Sequence, residues 1–282
     1  MNKKWERDKI YFDQEDYKNL SEAYWKNFNH RMFSVELSEA QTSALVARCR
    51  KEGVTVNSAL AAAFVGAQYS IQGDKPYHSK IGVAGNVRGR LQKPAGEVVG
   101  FYAGVVTLKY KYDGRKDFWE NARRFHKKAK PRYTNKNLFK DFLLWCHLEP
   151  TILESINFKK LGGLVPPHTE RYDKLSAFSQ QDDVVLSILK RGKMDSLDKK
   201  IMGTAVTNLT RLDFPKKYGP LELDRLIMHP GGAFPLVNVN LVLGAVTCAG
   251  KLSLVVEYAE KAVDTKTMGK IKDKAMEFLL NA

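Results

Sequence analysis

Residues 49–64 read CRKEGVTVNSALAAAF, and the passage from one helix to another inside them decides the fold class. Upstream, FSVELSEAQTSALVARCRKEG (33–53) starts a helix at Ser38. Its hydroxyl can cap the first turn while Gln41, three residues on, completes a capping box. Leu45, Val46 and Cys49 repeat on one face, and Gly53 stops the helix where a left-handed residue is needed. Thr55 then caps VTVNSALAAAFVGAQYSI (54–71), which is apolar nearly all round. A helix of that kind has no solvent face, so it belongs in a core.

Downstream the period changes from helical to extended. KIGVAGNVRGRL (80–91) and VVGFYAGVVTLKYKY (98–112) are β-branched and aromatic runs bounded by glycine and proline, as strands are. RKDFWENARRFHKKAKPR (115–132) is dense in Lys and Arg, yet Phe118, Trp119, Ala122 and Phe125 recur at helical spacing, which predicts an amphipathic helix with a solvated basic face. NLFKDFLLWCHLEPTILESIN (137–157) predicts helix with a break at Pro150, and 158–181 predicts an irregular, exposed stretch. The last hundred residues predict strands in DDVVLSILKRG (182–192), KIMGTAVTNLTRL (200–212), LELDRLIMHP (221–230), NVNLVLGAVTCAG (238–250) and KLSLVVEYAE (251–260). Ala249-Gly250 makes a tight hairpin turn, and a last helix capped by Asp264 buries Met268, Ile271, Ala275, Phe278 and Leu279. Helices, then strands interleaved with helices, then a meander and a final helix make an α/β sandwich around a mixed sheet.

Composition narrows the function classes. The chain of 282 residues is 44% hydrophobic, with no apolar run of the roughly 18 residues a span needs and no signal-peptide core near its start, so a cytoplasmic protein is expected. Cys49, Cys146 and Cys248 form no CxxC pair and are expected to be small buried hydrophobes, not metal ligands. The net charge of +15 favours polyanionic partners: nucleic acid, anionic membrane, phosphate-bearing cofactors or acidic carrier proteins. No helix-turn-helix, zinc-finger or RNP signature accompanies it, which argues against nucleic acid.

Five strings in order carry a resemblance. CRKEGVTVNSALAAAF, GVAGNVRGRL, VVGFYAGVVTL, AVTNLTRLDFPKKYGPLEL and LVLGAVTCAGKLSLVVEY are together similar to the C-terminal half of chloramphenicol-acetyltransferase-like acyltransferases and peptide-synthetase condensation domains. The flavour is that of alcohol O-acyltransferases and polyketide-associated acyltransferases. The resemblance covers 34–282, leaves 1–33 as a leader, and implies a mixed sheet flanked by helices, the C-terminal subdomain only. In that family the general base is the second histidine of HHxxxDG in the N-terminal half. His30, His78, His126, His147, His168 and His229 are the six histidines here, and none sits in HHxxxD; DFGWG is absent too. A base must reach the proton it removes, so the resemblance implies acyl transfer only with a companion half, supplied as another chain or lost from this one.

What the resemblance further implies is a channel wall. Its donor would be an acyl-CoA or a phosphopantetheine thioester, with no covalently bound cofactor. Partners would be the N-terminal half, an acyl carrier protein, and a second copy meeting the exposed apolar face. Arg88 matches an arginine that in the family is mostly a structural ion-pair partner, with substrate contact the other reading. Asn86 holds a strand end or meets ligand. Thr207 and Asn208 are polar in an apolar strand, which suits either channel lining or structural hydrogen bonding. Gly100, next to Phe101, and Gly104 allow close backbone approach. His229 lies in a Gly-Pro-rich loop and is either a surrogate base or a surface residue with no carboxylate beside it. A non-catalytic module of the same fold that docks an acidic carrier protein is the competing function.

Overall fold

In this computed structural model, residues 1–193, 195–197, 200–231 and 238–281 are described. In chain order they begin with α1 (Asn2–Asp8), α2 (Gln14–Asn27), β1 (His30–Leu37), α3 (Glu39–Lys51), α4 (Val56–Gln72), β2 (Lys80–Asn86) and β3 (Ala103–Lys109). Helices α5 (Phe118–Ala129), α6 (Asn135–Leu138), α7 (Lys140–His147), α8 (Pro150–Leu161), α9 (Tyr172–Gln180) and α10 (Val184–Gly192) follow. The chain then runs through β4 (Met202–Leu212), β5 (Lys217–Tyr218), β6 (Leu221–Glu222), β7 (Val239–Cys248), β8 (Lys251–Ala259) and α11 (Thr265–Asn281). They divide into two compact units, one of residues 1–29 with 140–201 and one of 30–139 with 202–282.

The first unit is helical. The Phe12 ring stacks on Phe158 with centroids 3.7 Å apart, and the Trp5 indole donates to Thr151 Oγ1 at 2.7 Å. The residues before β1 therefore fold as α1 and α2 against the helices of 140–201. The stretch 158–181, expected irregular, holds the end of α8 and all of α9, because Phe158, Leu161, Leu175 and Phe178 supply a buried stripe. The expected strand 182–192 is α10: Asp183 accepts from Leu186 N at 2.9 Å, and this cap starts a helix that β-branched composition alone would not. Pro150 sits in the first turn of α8, where its missing N–H costs nothing.

The second unit is built on a six-stranded sheet of order β1-β8-β7-β4-β2-β3. β4 runs parallel to both β7 and β2, and the remaining pairs are antiparallel, so the sheet is mixed as expected. α4 is buried from Ser58 to Gln68 and packs against α5, α11 and β4. Its fully buried Gln68 is satisfied: Nε2 donates to Thr204 Oγ1 at 2.5 Å and Oε1 accepts from Asn240 at 2.6 Å. Both expected caps are present, at Ser38 with Gln41 and at Thr55. The Ala249-Gly250 turn joins β7 to β8 with φ 50° and 86°, the geometry of a two-residue hairpin.

Three expected features differ. Only Ala103–Lys109 of the 98–112 run is extended, with Val98, Val99 and Phe101 exposed before it. Of 221–230 only Leu221–Glu222 is strand. The rest carries the Met228 carbonyl and the Pro230 ring across β7, where Gly244 has no side chain to stop them. Cys146 is exposed, while Cys49 and Cys248 are buried. Among the described residues no single helix is long and apolar enough to cross a membrane.

Candidate functional site

The carboxyl ends of parallel strands are where α/β sheets open crevices. In the second unit β2 and β4 are such a pair, with Val83 opposite Val206. Asn86 is the last residue of β2; its Oδ1 accepts from Arg88 N at 2.8 Å, the local bond that turns the chain out of the sheet. Asn208 sits toward the end of β4, where the register against β7 shifts between Asn208 and Arg211. Its Oδ1 accepts from Thr210 N at 2.7 Å, and Thr210 takes φ 64°. A β-branched residue there stores strain of about 1–3 kcal/mol. The resulting bulge turns Asn208, Thr210 and Arg211 together toward one cavity.

That cavity, about 990 Å³, is bounded by α3, the first turn of α4, α5 and the ends of β2, β4 and β7. Among the described residues no Asp or Glu lines it, while Arg50, Lys130 and Arg211 do. Arg211 is partly neutralised by Asp213 at 2.8 Å; Arg50 and Lys130 meet no carboxylate among the described residues. Within it Ser58 Oγ lies 2.9 Å from His126 Nδ1 and 2.9 Å from Thr55 Oγ1. Burial, and secondarily the charge of Lys130, holds His126 below the ordinary imidazole range, so the ring is neutral near pH 7. Burial likewise raises the Tyr133 phenol on the same wall. Asn57 Oδ1 is buried without a donor. The cavity is thus cationic, amide-lined and closed by a neutral histidine, a setting suited to an anionic ligand with a carbonyl to be held.

Asn86 and Asn208 are brought together in the cavity; the other expected residues are not. Thr207 precedes Asn208, so its side chain leaves the opposite face of β4. Arg88 makes no ion pair among the described residues. Its guanidinium donates to the carbonyls of Gly96 at 2.5 Å and Val98 at 3.1 Å and lies 4.1 Å from the Tyr102 ring centroid, bracing the loop before β3. Gly100 packs on that same ring, and Phe101 is 70% exposed. Gly104 does permit a close approach, but to the Leu138 carbonyl of α6. His229 does have a carboxylate beside it: its Nε2 is 3.1 Å from Glu257, and Gly231 N donates to its Nδ1 at 3.2 Å. The residues beyond, GAFPLV (232–237), lie outside the described residues. Sequence reading passed over Ser58, His126, Arg50, Lys130, Thr210 and Arg211. Only the serine in the first turn of a buried helix was a usable signal, since the rest needed the fold to converge.

Known proteins bear on this geometry as follows. Residues 26–129 match the family described as phthiocerol/phthiodiolone dimycocerosyl transferase C-terminus. The epimerization domain from the third module of tyrocidine synthetase B is similar over 89% of this chain and 47% of its own, at 14% identity and TM-score 0.53. A nonribosomal peptide synthetase, FmoA3, in its α-methyl-L-serine-AMP bound form matches over 99% of this chain and 27% of its own, at 13% identity and TM-score 0.50. The chain therefore spans about half or less of the length of those structures. No curated protein sequence matches it. The likeness of fold and the match over residues 26–129 point the same way: the chain has the fold of the chloramphenicol-acetyltransferase-like condensation superfamily and resembles the C-terminal half of its polyketide-associated acyltransferases.

Proposed function

We propose that the second unit supplies one wall of an acyl-transfer chamber, taking an acyl group from a CoA or carrier-protein thioester toward a hydroxyl or amine. The observation that carries this is the cavity at the ends of β2 and β4, which joins Asn86 and Asn208 to Arg50 and Lys130 with no acidic lining among the described residues. Cations and amide donors lining one crevice favour a phosphorylated pantetheine arm and the polarised carbonyl of its thioester. Arg50 and Lys130 would hold the phosphate, and Asn86 and Asn208 would position the acyl end. The base that removes the acceptor proton would come from a companion half bearing HHxxxDG, as no histidine of this chain sits in that motif.

The test is complementation. Purified chain mixed with an HHxxxDG-bearing half should transfer acyl groups to an alcohol when neither part does so alone. Transfer to the alcohol by this chain alone, at a rate the companion does not change, would remove the two-part reading.

A second reading, a non-catalytic module docking an acidic carrier protein, is favoured by one observation. Lys127 and Lys128 stand on α5 with no carboxylate paired to them among the described residues, whereas their neighbour Arg123 is paired with Glu52.

A further inference from the structure

Ser58 and His126 are 68 positions apart in sequence, yet the packing of α4 on α5 sets Ser58 Oγ 2.9 Å from His126 Nδ1 in the cavity wall. Ser58 N donates to Thr55 Oγ1 at 3.1 Å, and the Thr55 hydroxyl donates to Ser58 Oγ at 2.9 Å. With Ser58 Oγ accepting from Thr55, its own hydrogen is free to point at His126 Nδ1 when the ring is the tautomer protonated at Nε2. In that tautomer Nδ1 can take a proton from serine. A nucleophilic hydroxyl hydrogen-bonded to a neutral imidazole is the arrangement of an activated serine. Its position in the first turn of a 17-residue helix adds positive potential and first-turn N–H groups without intrahelical partners.

We propose that this pair makes the chain an acyl acceptor in its own right, Ser58 attacking an acyl thioester with His126 as base. Ser58 Oγ bonds to the thioester carbonyl carbon while its proton passes to His126 Nδ1. The C–S bond then breaks, the imidazolium returns the proton to the leaving thiolate, and a Ser58 ester and a free thiol result. Water attacking that ester, with His126 taking its proton, releases the carboxylic acid and restores Ser58. The first-turn N–H groups of α4 and the cations Arg50 and Lys130 stabilise the oxyanion in both steps. No companion half enters, so this activity stands or falls separately from the complementation above.

The experiment treats the full chain with a fluorophosphonate probe and with the N-acetylcysteamine thioester of butanoic acid. Adducts are followed by intact mass and peptide mapping, and thiol release by absorbance. One fluorophosphonate adduct on Ser58 is expected, together with thiol release. Both should fall by about 100-fold or more in Ser58→Ala and in His126→Gln, the loss typical of removing a nucleophile or its base. Labelling should also slow as the pH falls below the His126 titration. Native circular dichroism and thermal midpoints of both variants separate chemistry from misfolding. An unlabelled but natively folded chain, a label that maps elsewhere, or thiol release unchanged in Ser58→Ala would overturn the proposal.

Discussion

Lys159 carries its ammonium into the interior of the first unit with no side-chain exposure, 2.9 Å from Asp183. It also donates to the carbonyls of Phe178 and Gln181 and lies 3.9 Å from the Phe178 ring centroid. Desolvation lowers its pKa, and Asp183 opposes that. Lys159→Met leaves Asp183 buried and unpaired, and should cost about 3–5 kcal/mol in denaturant unfolding. Two histidines contribute to the acid response of the fold. Burial holds both His30 and His126 below 6.5. As pH falls through that value the unfolded chain takes up protons before the folded one does, so stability is level above it and declines below it. The urea midpoint should therefore drop between pH 7 and about 5.5, and His126→Gln should shrink the drop. At this scale the sequence was half legible. Asn208 stood out as a polar residue in an apolar strand and Asn86 as the polar end of another, whereas His126 looked like part of a solvated face until α4 packed against it.

Among the elements, α5 shows what charge density alone conceals. Of the four cations on its basic face, Arg123 pairs with Glu52, and Arg124 donates to Asn121 and lies 5.9 Å from the Tyr110 ring. Reversing Lys127 and Lys128 to Glu should weaken binding of an acidic carrier protein and flatten its salt dependence, with little change in melting temperature. Reversing Arg123 should also destabilise the fold. Calorimetry across a salt series separates the two. Caps made α3, α4 and α11 readable, because Ser38, Thr55 and Asp264 each precede an apolar period that fits only a helix. α10 was not readable: Val184, Val185 and Leu189 fit a buried strand equally well, and only the Asp183 cap in its folded setting decides for helix. The bulge at Asn208–Arg211 was hidden for a related reason, since TNLTR keeps a strand-like composition through a Thr210 that has left the β region.

At the scale of the whole molecule, the mixed sheet and its helices were legible because the order of elements constrains the topology more tightly than any one string does. The two-unit division was not, since it depends on residues 1–29 returning to 140–201. Apolar side chains stand out on the second unit, with Val99 at 97% and Phe101 at 70% exposure. Such a surface favours association, so light scattering at rising concentration should show dimers or larger species, and a strict monomer would count against a buried role for that surface. The central proposal concerns the cavity, as the place that would hold the phosphorylated arm and acyl end of a thioester. Calorimetric titration with an unreactive thioether analogue of an acyl-phosphopantetheine tests it most directly. The account expects one site per chain, weakened about tenfold, or ~1.4 kcal/mol, by Asn208→Ala and more by Arg50→Glu with Lys130→Glu. No binding by the folded chain, or an affinity the same in all variants, would contradict it.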